Sequence, residues 1–165
     1  MTADRSERRG LWMTMGLIAG LAIAFVWPHE HAAAVVGDRN DKFAVVTAAV
    51  DATAFVEGVF VLDFLTGQLR GSVLNPTAGA FAVLYARNVA QDFNVNPNEP
   101  GTYAIVSGRT NMNASGGGQP AASCIYVAEL TSGKVVAYSF PAGGRGGATL
   151  PLTPVDGFQF REASQ

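Results

Sequence analysis

The sequence predicts an α+β protein in which an N-terminal transmembrane helix precedes a small antiparallel-sheet domain with an internal three-strand repeat and one packed helix. Three observations lead there: an uncharged apolar run from Leu11 to Trp27, a hairpin pattern that occurs twice, and a stretch of helical spacing between the two copies. An all-β sandwich is the alternative if that spacing does not fold as a helix. The expected organisation is a basic tail over residues 1–10, a membrane span over 11–27, a linker over 28–42 and a β-rich domain over 43–165.

The apolar run comes first in the chain and has the clearest chemistry. Arg5, Arg8 and Arg9 precede LWMTMGLIAGLAIAFVW, about 17 residues without a charge, which as a helix would be ~26 Å long. Trp12 and Trp27 stand near its two ends, where indole rings favour the membrane interface. Arginines upstream, against a downstream flank where Arg39 and Lys42 are offset by Asp38 and Asp41, place the N-terminus in the cytoplasm and the following domain outside it. Ala32 and Ala34 form the small-x-small pattern of a signal-peptidase site after Pro28. The expectation is a retained single-pass anchor, with cleavage near Ala34 and a secreted or periplasmic domain as the alternative.

The repeat sets the architecture of the domain. VFVLDFLTGQLRGSVL, from Val59 to Leu74, aligns without gaps to IYVAELTSGKVVAYSF, from Ile125 to Phe140. Each copy is a β-branched and aromatic strand, an acid (Asp63 or Glu129), a hydroxyl residue before Gly67 or Gly133, and a second strand. The glycine supplies the positive φ that a short hairpin loop needs. A strand precedes each hairpin, FAVVTAAV from Phe43 and YAIVSGRT from Tyr103, so the repeat units span about 43–74 and 103–140. Between them, Phe81, Leu84, Tyr85, Asn88, Val89 and Phe93 keep spacings of three and four, which predicts a helix over about 78–93 with Thr77 as its cap and Pro97 beyond its end. A last strand is expected around Gly157 to Arg161.

The runs VFVLDFLTGQL and IYVAELTSGKV resemble strand-turn-strand pieces of bacterial β-propeller repeats, over about 16 residues in each copy. A propeller needs at least four blades and the chain offers two units, so no propeller cofactor or activity is implied. The whole layout, with WPHEH after the apolar run, is similar to a set of membrane-anchored bacterial proteins with this duplicated hairpin. That likeness implies an envelope location and a fold, and no activity.

Composition and side-chain chemistry narrow the function classes. With 48% hydrophobic residues and 19 glycines the chain is globular and turn-rich, and a net charge of −2 offers no basic stripe for nucleic acid. The single cysteine, Cys124, has no pairing partner within the chain and is expected as a buried structural thiol. The only histidines, His29 and His31, sit beside Glu30 just after the apolar run, lack a third ligand nearby, and leave the domain without a base for a Ser-His-Asp arrangement. Gly116 to Gly118 lacks the ending of a phosphate-binding loop, PAGGRGG (141–147) lacks aromatic interleaving, and Asn113-Ala114-Ser115 is a chance-level sequon. Asp63 and Glu129 read as turn stabilisers.

No catalytic, metal or cofactor site is therefore expected, and the chain reads as a non-enzymatic interaction or structural module tethered to a membrane through Leu11 to Trp27. Its expected partner is a second copy or another envelope protein. The alternative is a small-ligand-binding or sensory domain, with the segment Arg109 to Ser123 as a lid and Arg87, Tyr103 and Arg109 as ligand contacts.

Overall fold

Asp63 and Gly67 close the first hairpin by local chemistry alone. The Asp63 carboxylate accepts the Leu65 N–H at 2.9 Å, its carbonyl accepts the Gly67 N–H at 2.9 Å, and Gly67 takes φ = 64°. Glu129 and Gly133 repeat the device. The Glu129 carboxylate accepts the N–H groups of Thr131 and Ser132, its carbonyl accepts the Gly133 N–H, and Gly133 takes φ = 69°. Both glycines are also crowded, since a Cβ on Gly67 would lie 2.6 Å from the Ala90 Cβ and one on Gly133 would lie 2.5 Å from that of Arg161. Gly133→Ala should therefore cost about 1–3 kcal/mol through left-handed strain plus the clash. A urea-unfolding midpoint within error of wild type would show that the turn tolerates a side chain.

The computed structural model describes residues 12–22, 37–51, 53–95, 101–112, 118–143 and 148–161. The chain divides into two units, Met1–Ala34 and Val35–Gln165. In the first, residues 12–22 form a helix, α1, with exposed apolar side chains that include Trp12, Leu17 and Ile18. At 1.5 Å per residue α1 is ~16 Å long, about half the hydrocarbon thickness of a bilayer. The transmembrane helix expected over 11–27 is thus not found: among the described residues no helix is long and apolar enough to cross a membrane. Leu11 and residues 23–27 lie outside the described residues, as do His29, His31 and the 113–115 sequon.

The second unit is built from strands. Its elements are β1 (Gly37–Arg39), β2 (Phe43–Asp51), β3 (Val56–Asp63), β4 (Gln68–Asn75), β5 (Ala80–Asn88), α2 (Ala90–Phe93), β6 (Tyr103–Arg109), β7 (Ser123–Glu129), β8 (Lys134–Ser139), β9 (Thr149–Pro151) and β10 (Thr153–Gln159). One sheet has the order β1-β2-β3-β4-β5-β9, antiparallel except for the parallel β5–β9 pair, and the other has the order β10-β8-β7-β6. The two expected three-strand units are therefore real meanders, β2-β3-β4 and β6-β7-β8, one in each sheet. Strand β1 falls inside the stretch expected as linker, because residues 37–39 pair with the start of β2.

The helix expected over 78–93 is a strand followed by a single helical turn. Asn75 explains the start: its side-chain oxygen accepts the N–H groups of Thr77 and Ala78, and Gly79 takes φ = 61°, making a tight turn out of the stretch expected to cap a helix. The chain then pairs along β4 from Asn75↔Ala80 to Gln68↔Asn88. Apolar residues occupy both parities of FAVLYA, so the spacing that suits a helix also suits a strand with two apolar faces.

With β5 as a strand the repeat grows to four strands. β2-β3-β4-β5 corresponds to β6-β7-β8-β10, with matching registers: Phe43↔Asp63 against Tyr103↔Glu129, and Gln68↔Asn88 against Lys134↔Gln159. The closing bonds match as well. Val89 N–H donates to the Gly67 carbonyl and Phe160 N–H to that of Gly133; Phe64 N–H donates to Lys42 and Leu130 N–H to Thr102.

One hydrophobic core joins the two sheets. Phe60, fully buried, packs against Phe140 and Tyr85 at ring-centroid distances of 4.8 and 5.6 Å, and Gly71 opposite it leaves the space its ring fills. Beyond β1, the free edge of β2 turns toward the second sheet, where the Thr47 and Ala49 carbonyls accept the hydroxyls of Ser107 and Ser123 at 2.5 and 2.6 Å. Each bond satisfies an edge acceptor that burial would otherwise leave unpaired.

Candidate functional site

Strand alternation places one face of each sheet in the shared core and leaves the other facing away. In the first sheet Ala44, Val46, Phe60, Leu62 and Leu69 point inward and are at most 2% exposed. Their neighbours point outward: Val45, Val59 and Val61 in register across β2 and β3, then Leu74 and Leu84 on β4 and β5, the last two about half exposed. In the second sheet Ile125, Val127, Val136 and Tyr138 point inward. Outward lie Ala104, Val106, Tyr126, Ala128, Val135 and Phe158, with Val106 58% and Phe158 63% exposed. Charge enters these faces at Asp38, Glu57, Asp63 and Arg70 in the first and at Asp156 in the second.

A solvated antiparallel face normally carries polar residues. Two outward faces rich in valine, leucine and aromatic side chains have the composition of interaction surfaces. Sequence reasoning did not single out these residues, although the signal was present: VFVL and IYVA are apolar at every position, which marks strands covered on both sides rather than one.

The three residues expected as ligand contacts are not brought together. Arg87 is partly buried, and its Nε and Nη2 donate to the Asp92 carboxylate at 2.9 and 2.6 Å while its guanidinium lies 5.9 Å from the centre of the Tyr138 ring. The Tyr138 hydroxyl donates to Asp92 at 2.9 Å, and Lys134 Nζ donates to the Asp92 carbonyl at 3.1 Å. Burial pushes the Asp92 carboxyl up, but the bonds from Arg87 and Tyr138 outweigh it, so it lies below its usual value. Burial also drives the Tyr138 hydroxyl upward. The cluster joins β5 and α2 of the first half of the duplication to β8 of the second half, and its geometry is that of a structural pin.

Tyr103 is 1% exposed and packs on Phe64 and Phe93, beside an open cleft of ≈730 Å³ reached past Gly101 and Asn94. Arg109 lines a different cleft of ≈970 Å³ with Asp51, Thr53, Met112 and Gln119. The Asp51 carboxylate there is engaged by Thr53 and Ala54 in its own turn, chiefly by the Thr53 hydroxyl, which lowers its pKa. The expected lid over Arg109 to Ser123 lies partly outside the described residues.

Asp63 and Glu129 act within their own turns. Burial raises the Glu129 carboxyl, yet the N–H groups of Ser132 and Thr131 bring it below its usual value. Cys124 is 3% exposed with its sulfur 3.3 Å from that of Met112, and burial raises its thiol, which describes a packing residue. Among the described residues no group of three His, Cys, Asp or Glu is placed to hold a metal ion.

Fold and faces together define a class: a duplicated four-stranded meander whose two sheets share one core and present apolar outer surfaces. No family model, curated protein or solved structure matches the chain.

Proposed function

We propose that this chain is an interaction module of the cell envelope, tethered by its apolar N-terminal segment, with the β-unit outside the cytoplasm and binding through its outward sheet faces. The observation that carries the reading is the exposure of Val61, Leu74, Val106 and Phe158 on faces whose neighbours are also apolar. Burying such a face yields roughly 25 cal/mol per Å² of apolar surface, enough for stable association once a partner of matching shape covers it. The tether is supported by sequence chemistry: an uncharged run with tryptophans near its ends, Arg5, Arg8 and Arg9 upstream, and a downstream flank where Arg39 and Lys42 are offset by Asp38 and Asp41.

The test combines intact mass with photocrosslinking in the native host. A photoreactive residue at position 106 should capture a protein partner in the membrane fraction, where the recovered chain retains residues 11–27. A mature chain beginning near Val35 in the soluble fraction would remove the tether from the proposal. Absence of any crosslink at positions 74 and 106 would remove the interaction role.

A further inference from the structure

The duplication sets the front of one meander against the back of the other. Matching registers make Phe60, Leu62 and Leu69, which point inward from the first sheet, the counterparts of Tyr126, Ala128 and Val135, which point outward from the second. Conversely, Val59, Val61 and Leu74 face outward, and their counterparts Ile125, Val127 and Phe140 are buried against the first sheet. The outward face of the first sheet is therefore the counterpart of the surface by which the second sheet binds it, and the reverse holds for the second sheet. Within one chain neither face has the neighbour its counterpart has.

From this we infer that the occupant of each face is a second copy of the chain, joined head to tail, with the first sheet of one copy on the second sheet of the next. The inference rests on the reading of these faces as interaction surfaces and names their partner. Carrying the contacts within the chain across the repeat gives the contacts between copies. Ser107 Oγ donates to the Thr47 carbonyl; these two residues are counterparts, so Thr47 Oγ1 of one copy donates to the Ser107 carbonyl of the next. Ser123 Oγ donates to the Ala49 carbonyl; their counterparts place the Glu57 side chain of one copy beside the Arg109 backbone of the next.

The apolar contacts carry across in the same way. Phe140 on Phe60, 4.8 Å between ring centres, becomes Leu74 of one copy on Tyr126 of the next. Val106, 58% exposed, is the counterpart of Val46, 2% exposed, and Leu74, 50% exposed, is that of Phe140, 2% exposed. Such an interface uses two different surfaces on each copy, so it propagates until it closes on itself or is capped.

That property supplies the experiment, made on the full chain in mild detergent with mass read by sedimentation velocity. Wild type should assemble, while Leu74→Arg and Val106→Arg, each with one face blocked, should each be monomeric. An equimolar mixture of the two should form a one-to-one pair through the intact face of each. Both positions are exposed in a single copy, so the fold should survive, as circular dichroism would register.

Assembly of either arginine variant to the wild-type mass, or no pairing in the mixture, overturns the proposal. A monomeric wild type also overturns it. If position 106 then crosslinks to a different protein, the interaction reading stands without self-association; if it crosslinks to nothing, both fall.

Discussion

Phe60→Ala should destabilise the β-unit by about 3–5 kcal/mol, a large share of the 5–15 kcal/mol that holds a domain of this size together. Phe60 is fully buried and touches both halves of the duplication: Tyr85 on β5 stacks on it at 5.6 Å with a 30° interplanar angle, and Phe140 at the end of β8 meets it at 4.8 Å. Tyr85 and Phe140 also meet each other edge-on at 5.3 Å, so the three rings form a closed cluster between the sheets. Removing the central ring leaves a cavity that the surrounding strands fill poorly, because their registers are set by ladders on either side. The Tyr85 hydroxyl, donating to the Pro141 carbonyl at 2.9 Å with its pKa pushed up to about 12 by burial, holds one wall in place. Urea unfolding measures the loss; a change below about 1 kcal/mol would mean that the sheets close over the gap and that the core is softer than its packing indicates.

Asp92→Ala is expected to cost about 2–4 kcal/mol at neutral pH, more than an exposed ion pair and less than a fully buried one. The carboxylate is 15% exposed and accepts from Arg87 twice and from Tyr138 once. Its removal leaves a guanidinium and a buried phenol without their shared acceptor. The pH dependence follows from the depressed pKa. Its contribution is fully present well above the unfolded value of 3.8 and is lost as pH falls through the still lower folded value. The gap between wild type and Asp92→Ala should therefore be widest near neutrality and narrow below pH 3.8. Glu129, also depressed, remains in both proteins and imposes a common acid sensitivity on them. Urea midpoints taken at neutral and acid pH decide the matter: a gap that stays constant would assign the loss to packing rather than to charge.

Both substitutions act where the two meanders meet, so both should also alter how the outward faces are set relative to each other. Gly133→Ala perturbs one hairpin end only, and its cost should remain local. This contrast separates the rigid relation between sheets from the integrity of each.

Local chemistry was legible in the sequence. The hairpins at Gly67 and Gly133, the carboxylates that brace them and the alignment of Val59–Leu74 with Ile125–Phe140 all depend on residues within a few positions of one another, and they fold as expected. Residues 80–88 were not legible in this way, because apolar side chains at both parities satisfy a helix and a doubly covered strand alike. Only pairing with β4 resolved them, and with that pairing the three-strand repeat became a four-strand one. The roles of Arg87 and Tyr103 were hidden for a related reason: a polar side chain in a strand does not reveal whether its partner is a ligand or, as for Arg87, an aspartate five residues on that a helical turn folds back. By itself the sequence determined the hairpin turns at Gly67 and Gly133 and the three-strand part of the duplication. The tertiary structure decided which face of each sheet is covered and which is free, because strand alternation supplies two equivalent faces and only long-range packing between the sheets distinguishes them.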